Sequence, residues 1–302
     1  MSMGTIRSVQ QAAIVIIANL SPAARLARAA AMNRAADALA LAGLRRRQPS
    51  ASPHAIGVAL ALQRIGRSDD RTLATHLTKE TTVSDTPADF LAVAVRAATV
   101  CTDLGIPYLI GGGVASTVHG EFRTTRDVDL VVQLKRADAA RFTAALTADF
   151  TLNPPDILDA LAHVPIAASD RTQRATFAAY DRATGYQLDV FCASDSPFDR
   201  AIPIAVSEVG AVLMVASAED TIVTKLEWYA ITPSDQQWTD VQTILRVQGA
   251  ALDRGYVTIW TARLGIAEVW AVAQRGDPAP HRTAARSTPP DDDTRQTRMD
   301  LI

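Results

Sequence analysis

Apolar residues recur at three- and four-residue spacing through Ala23, Leu26, Ala30, Ala36 and Leu39. Spacings of three and four are those of a helix with about 3.6 residues per turn. The helical pattern covers residues 5–47 and divides at Ser21-Pro22, a serine cap with proline in the first turn of a new helix. Arg45-Arg46-Arg47 closes that helix, where cations meet the negative end of its dipole. A turn through 48–53 leads to a third predicted helix at 53–65, and the polar stretch 67–86 reads as a linker. From residue 87 the texture changes. An amphipathic helix over 87–104 ends at Gly105, and a short buried strand over 107–110 runs into glycines. A short helix at 114–119, a valine-rich strand at 127–134 and helices at 136–148 and 155–163 follow. Two alternating segments, 176–180 and 186–191, read as a hairpin turning at 182–185, and 202–206 and 212–215 are further strands turning at Gly210. Helical periodicity then returns at 218–230, 234–248, 253–264 and 266–274.

This order predicts an α/β (α+β) chain: a mixed sheet flanked by helices, with a helical N-terminal segment and a helical C-terminal part. The divisions are 1–66, the linker 67–86, the core 87–216, the helical part 217–275 and a tail 276–302. Pro-Pro and an aspartate triplet in the tail read as disordered.

Composition refines this picture. The chain has 302 residues, 48% hydrophobic and 21% charged, enough apolar material for a packed core. Its net charge of −2 hides an asymmetry. Residues 1–85 carry 11 Lys/Arg against 5 Asp/Glu, a net of +6, whereas residues 86–275 carry 15 against 22, a net of −7. A basic helical segment beside an acidic core could dock onto it, touch nucleic acid, or present a solvated face. Cys101 and Cys192 lie in apolar runs and form no CxxC pair, which argues against a zinc site or disulfide framework and fits a reducing compartment. The apolar run 12–20 lacks the shape of a signal peptide and is too short to span a bilayer, so a cytoplasmic protein without a membrane partner is expected.

The candidate chemistry sits in 108–132. A strand ends at Gly111-Gly112-Gly113 and meets a helix start, where backbone N–H groups with no Cβ in the way can cradle phosphate. The next strand opens Asp127-Val128-Asp129. Alternation puts both carboxylates on one face and Val128 and Leu130 in the core. Like charges side by side are unfavourable unless a cation neutralises them, and hard oxygen donors suit magnesium or manganese. A third acid, Asp189, stands among core-type neighbours in Tyr186-Gln187-Leu188-Asp189-Val190-Phe191. A dinucleotide fingerprint is excluded because only about thirteen residues separate Gly113 from Asp127, too few for a crossover helix. The absence of Gly-Lys-Ser/Thr excludes a P-loop. His119, between Val118 and Gly120, reads as structural, and the four tryptophans as core packing.

The stretch Gly112-Gly113-x-Ala115-Ser116…His119-Gly120…Arg123-x-Thr125-x-Asp127-x-Asp129 resembles the nucleotidyltransferase superfamily, the fold shared with DNA polymerase β. Within it, the stretch is similar to the bacterial branch that includes the AbiEii-type toxins of toxin–antitoxin systems. Glu219-Asp220…Lys225 and Asp240-Val241 are similar to later helices of that branch, so the resemblance covers about 88–275. The glycine run departs from the pattern in having three members, with Ser116 three residues after Gly113. The resemblance implies an enzyme moving an NMP from an NTP, such as ATP, to a macromolecular acceptor, a tRNA or a protein hydroxyl. It implies Asp127, Asp129 and Asp189 as catalytic ligands of Mg2+ or Mn2+. Gly112, Gly113, Ser116, Arg123, Lys225 and Asp240 would form the nucleotide-binding set, Asp240 by orienting Lys225. Two alternatives stand beside it: a non-catalytic nucleotide- or partner-binding module of the same fold, and a small-molecule, antibiotic-type nucleotidyltransferase. The N-terminal segment resembles a small helical protein encoded beside such transferases, which would make it a built-in restraint or a substrate arm.

Overall fold

The computed structural model describes residues 12, 14–162, 175–193, 198–207 and 210–280. The tail beyond 280 and residues 5–11 and 13 of the helix expected before Ser21 lie outside the described residues. The mixed sheet expected from the strand pattern is present. Strands β1 (Tyr108–Ile110), β2 (Asp127–Val132), β3 (Phe150–Thr151), β4 (Ala175–Asp181), β5 (Gln187–Cys192), β6 (Ile202–Val206) and β7 (Ala211–Val215) form one seven-stranded sheet in the order β3-β4-β5-β2-β1-β7-β6. β2 pairs parallel with β5 and β1 parallel with β7; the other pairings are antiparallel. The short strand β3 has no counterpart in the sequence reading, because two residues carry no alternation to read.

Alternation along β2 and β5 puts Val128, Leu130, Val132, Leu188, Val190 and Cys192 into the main core. There they meet the inner face of α4 (Phe90–Asp103), which carries Phe90, Val93, Ala94, Ala97 and Cys101. Asp89 caps that helix by accepting from Leu91 N–H at 2.8 Å, three residues later than the expected start. Four C-terminal helices, α8 (Ala218–Ile231), α9 (Asp235–Gln248), α10 (Arg254–Arg263) and α11 (Ala267–Arg275), close over a second apolar cluster. Trp238 and Trp270 are buried in that cluster as expected and Trp260 packs partly buried against it, whereas Trp228 is exposed.

The N-terminal segment packs on the rest of the chain. Helix α1 (Pro22–Arg47) contributes Leu26, Ala29 and Ala30 to the main core. Further along, Leu41 and Leu44 pack on Ile56 and Leu60 of α2 (Pro53–Ile65). Polar groups fasten it as well. Buried Arg25 donates to Val118 O at 2.8 Å and Arg34 pairs with Asp89, while Arg64 pairs with Asp37 at 2.7 Å to tie α2 to α1 within the segment.

The linker reading of 67–86 is corrected: Arg71–Glu80 is a helix, α3. Asp70 caps it by accepting from Leu73 N–H at 2.8 Å. Ten mostly polar residues are too few to hold a helix in water by themselves. Leu73 and Leu77, one turn apart, dock onto Val58, Ala61, Leu62, Val83 and Tyr180, and burial of about 1.5–3 kcal/mol per leucine makes the helix stable. The cap and the leucine spacing were the available signal. Three helical starts, α5 (Gly112–His119), α6 (Ala139–Leu146) and α7 (Pro154–Ala162), connect the strands.

Candidate active site

The acids are brought together by strand register. In the parallel β2–β5 ladder Asp127 stands opposite Gln187, and Asp129 directly opposite Asp189. Partners in a ladder lie about 4.8 Å apart with side chains on the same face, so Asp127, Asp129 and Asp189 share one face of two central strands. Val128 and Leu188 fill the other face.

The glycine run ends β1 and begins α5 against this face. Gly111 N–H donates to Asp129 O at 2.9 Å, locking the loop to β2. Gly112 has φ +51° and lies so close to Asp129 that a Cβ there would meet Oδ2 at 1.5 Å. A Cβ on Gly113 would meet Thr125 Oγ1 at 2.3 Å and an Arg123 guanidinium nitrogen at 3.3 Å. Both glycines are required by close approach: one by the carboxylate of Asp129, the other by the 123–125 loop. Gly113 N–H also hydrogen-bonds the Asp129 carboxylate.

This packing has an electrostatic consequence. Burial pushes the Asp129 carboxyl up to about 7, reinforced by Asp127 and Asp189 and opposed by Lys225 and the Gly113 N–H. Burial likewise raises Asp189 to about 6; the Gln187 amide, which donates to Asp189 Oδ1 at 2.7 Å, opposes this, and Asp127 adds to it. The folded chain thus concentrates negative charge it would rather not carry, the condition that a bound cation relieves. Gln187 is a site residue absent from the sequence reading. Its signal was its position two residues before Asp189, on the same face of the strand.

Fit to a divalent ion follows from the donor set. Among the described residues no group of three His, Cys, Asp or Glu side chains is gathered around one point closely enough to hold a metal ion. The expected three-carboxylate centre is therefore not formed by the protein alone. Magnesium is commonly held by one or two carboxylates completed by water and substrate phosphate oxygens, and the paired Asp129 and Asp189 with Asp127 beside them fit that arrangement.

The cations expected to bind phosphate converge from a different direction. Arg123 donates to both oxygens of Asp240, Nε to Oδ1 and Nη2 to Oδ2, each at 2.9 Å. Lys225 Nζ lies 3.0 Å from Asp240 Oδ2, and Gln236 donates to Oδ1 at 2.8 Å. Asp240 was expected to orient Lys225; it holds Arg123 as well. Burial raises its carboxyl, but the hydrogen bonds from Arg123 and the charge of Lys225 outweigh burial and hold it below the ordinary value of 3.8. Its contribution to stability is therefore present above the unfolded value and lost as pH falls through the folded one. Asp240→Ala is expected to cost about 3 kcal/mol, because it leaves two buried or half-buried cations unpaired. The check is a lowered urea midpoint at unchanged slope, with Asp240→Asn losing less because its amide oxygen still accepts.

Ser116 is placed away from the acids, and His119 is structural as its sequence context suggests. Ser116 is 2% exposed and its hydroxyl donates to Gly112 O at 3.0 Å, one turn back in α5, so it faces its own helix rather than the acids. His119 is buried with Nε2 2.7 Å from Ala216 O, and burial takes it down to about 4, which keeps it neutral and structural. Among the described residues no helix is long and apolar enough to cross a membrane.

No protein-family model matches this chain, and no curated protein does. Solved structures similar to it include the following two. One is the crystal structure of an antigenic nucleotidyltransferase-like protein from Paracoccidioides brasiliensis, 15% identical, with 65% of this chain and 96% of that one covered at a TM-score of 0.37. The other is the solution structure of the antibiotic-resistance factor ANT(2'')-Ia, 16% identical, with coverage of 62% and 97% and a TM-score of 0.35. Neither likeness assigns a substrate or a residue role.

Proposed function

We propose that this chain is a metal-dependent nucleotidyltransferase that moves an NMP from an NTP to a macromolecular acceptor. The observation that carries the reading is the register match of Asp129 with Asp189, beside Asp127 and against a glycine turn whose Cβ space is filled by the Asp129 carboxylate. The opposed charges, three acids here and the Arg123–Lys225 pair held on Asp240, suit a triphosphate bridged by a divalent ion.

The reaction balances simply. An acceptor hydroxyl oxygen forms a bond to the α-phosphorus, the bond from that phosphorus to its bridging oxygen breaks, pyrophosphate leaves, and the hydroxyl proton passes to water. A bound divalent ion would offset the charge that develops on the attacking and leaving oxygens. Asp127, Asp129 and Asp189 would hold such ions. Gly112 and Gly113 let the triphosphate approach the backbone at the start of α5. Arg123 meets phosphate as a fork and Lys225 as a point charge, each exchanging part of its contact with Asp240 for a phosphate oxygen. Ser116 enters this scheme only through its bond to Gly112, which stiffens the first turn of α5.

The macromolecular acceptor, a tRNA or a protein hydroxyl, and a toxin role rest on the resemblance of the 112–129 and 219–240 segments to the AbiEii-type branch. The deciding experiment incubates the protein with α-labelled ATP or other NTPs, magnesium and a cell extract. Label on RNA or protein supports the reading, and label on a small molecule replaces it by the antibiotic-type alternative. Bound NTP with no transfer makes the chain a binding module.

Metal dependence has its own check. Asp129 and Asp189 hold protons more tightly in the folded chain than in the unfolded one, so a divalent ion must displace those protons at low pH. Magnesium with ATP is expected to raise the melting temperature at about pH 8 and to lose most of that effect near pH 5. A gain that is equal at both values would place the ion away from these carboxylates.

A further inference from the structure

We propose that Asn33 of the N-terminal segment is a positioning residue for the acidic site, so that the segment is part of the catalytic scaffold rather than a detachable restraint. Its catalytic half rests on the nucleotidyl-transfer reading above; its structural half does not.

Asn33 lies in the middle of α1 and is 4% exposed. Its side chain reaches Thr125, 92 residues away, and satisfies both backbone groups of that residue. Nδ2 donates to Thr125 O at 2.5 Å, and Thr125 N–H donates to Asn33 Oδ1 at 3.1 Å. The second Nδ2 hydrogen goes to Tyr186 Oη at 2.8 Å. One amide thus ties the loop before β2 to the residue before β5, the two strands that carry Asp127, Asp129 and Asp189. A primary amide can use both donors and its acceptor in this way, and no other side-chain class of similar size offers that set.

Thr125 passes this hold to the site. Its backbone faces Asn33, while its hydroxyl lies 3.4 Å from Asp127 Oδ1 and from Asp127 O, and within 2.3 Å of where a Gly113 Cβ would stand. Arg123, two residues earlier, is anchored on Asp240. The loop 123–127 is therefore held at two points, by α9 through Arg123 and by α1 through Asn33. Without Asn33 the buried N–H and C=O of Thr125 would lose their partners, and the loop would have to open toward water to regain them. The Tyr186 hydroxyl, just before β5, would lose the N–H donor it accepts from by the same change. Restraint calls for a segment that can leave, yet Leu26, Ala29 and Ala30 of the same helix lie in the main core.

The experiment compares Asn33→Leu, of similar volume without hydrogen-bonding groups, with Arg25→Met in the same helix. Arg25 fastens α1 to Val118 and does not touch the loop. Asn33→Ser, which is uncharged and too short to span both backbone groups of Thr125, is the milder variant if the leucine protein does not fold. Amide hydrogen exchange over residues 122–128 is expected to rise in the Asn33 variants and to stay at the wild-type level in Arg25→Met, whatever each does to the melting temperature. In the labelled-ATP assay the Asn33 variants are expected to lose roughly tenfold or more in maximal rate, with half-saturating ATP within about twofold of wild type. Exchange over 122–128 that is unchanged in the Asn33 variants overturns the inference. So does an equal rise in exchange and equal loss of rate in Arg25→Met, since the effect would then be general loosening of α1. If wild type transfers no label while the exchange contrast persists, the nucleotidyl-transfer reading fails and the loop-fastening role of Asn33 stands.

Discussion

The Asp129→Asn protein is expected to melt at a higher temperature than wild type at about pH 8 in the absence of divalent ions, and to have lost nucleotidyl transfer. The two effects share one cause. Burial, Asp127 and Asp189 all disfavour the ionised Asp129 carboxylate and hold its carboxyl near 7, against 3.8 for the free group. A carboxyl raised in this way stabilises the fold while protonated, below its unfolded value, and that contribution is lost as pH rises through the folded one. Asparagine keeps an oxygen for the Gly113 N–H and never ionises. Its advantage over wild type should therefore be absent below the free value of 3.8, grow as pH rises and level off above about 7. Melting curves across that range measure it, and a variant less stable than wild type at every pH would mean that Asp129 is a structural acid with an overlooked partner. The accompanying loss of transfer is expected to be at least about 10²-fold, the scale of removing one preorganised electrostatic element from such a site. A residue that costs stability yet is needed for activity is what a functional site produces.

Replacing Gly112 by alanine is expected to have the largest effect of any single methyl added to the site. Two penalties combine. The backbone is in the left-handed region at φ +51°, where a Cβ costs about 1–2 kcal/mol. The new methyl would also lie 1.5 Å from Asp129 Oδ2, so the carboxylate must turn out of its place. It cannot turn without leaving the Gly113 N–H and its alignment with Asp189. Gly112→Ala should thus lower stability and abolish transfer together, whereas Gly210→Ala separates the two. Gly210 has a comparable φ of +65° with nothing within 4 Å of its Cβ position, so it should lose stability only. Chemical denaturation and the labelled-NTP assay on both variants make the comparison. Full activity in Gly112→Ala would remove the glycine turn from the site.

The site could be read in the sequence as far as local geometry reaches. Asp127 and Asp129 share a face because β2 alternates, and the need for glycine before them follows from a strand running directly into a helix. The same locality explains the errors. The 67–86 linker hid α3, whose stability comes from docking Leu73 and Leu77 on Val58, Ala61 and Leu62 of α2 and on Tyr180, about a hundred residues further along. Ser116 looked available because a helix sequence does not say that its hydroxyl will turn back to Gly112.

By itself the sequence determined the helices and strands other than α3 and β3 to within a few residues, the alternation that puts carboxylates opposite core residues, and the residue types able to bind metal and phosphate. These follow from periodicities of two and about 3.6, which are properties of neighbouring residues. The tertiary structure alone decided that Asp129 stands beside Asp189, that one carboxylate, Asp240, holds both Arg123 and Lys225, and that Asn33 fastens the loop before Asp127. Strand order and register set the first of these. The other two join residues 117 and 92 positions apart. Such contacts depend on which surfaces pack together, and a buried amide or carboxylate gains its partners only once that packing has excluded water.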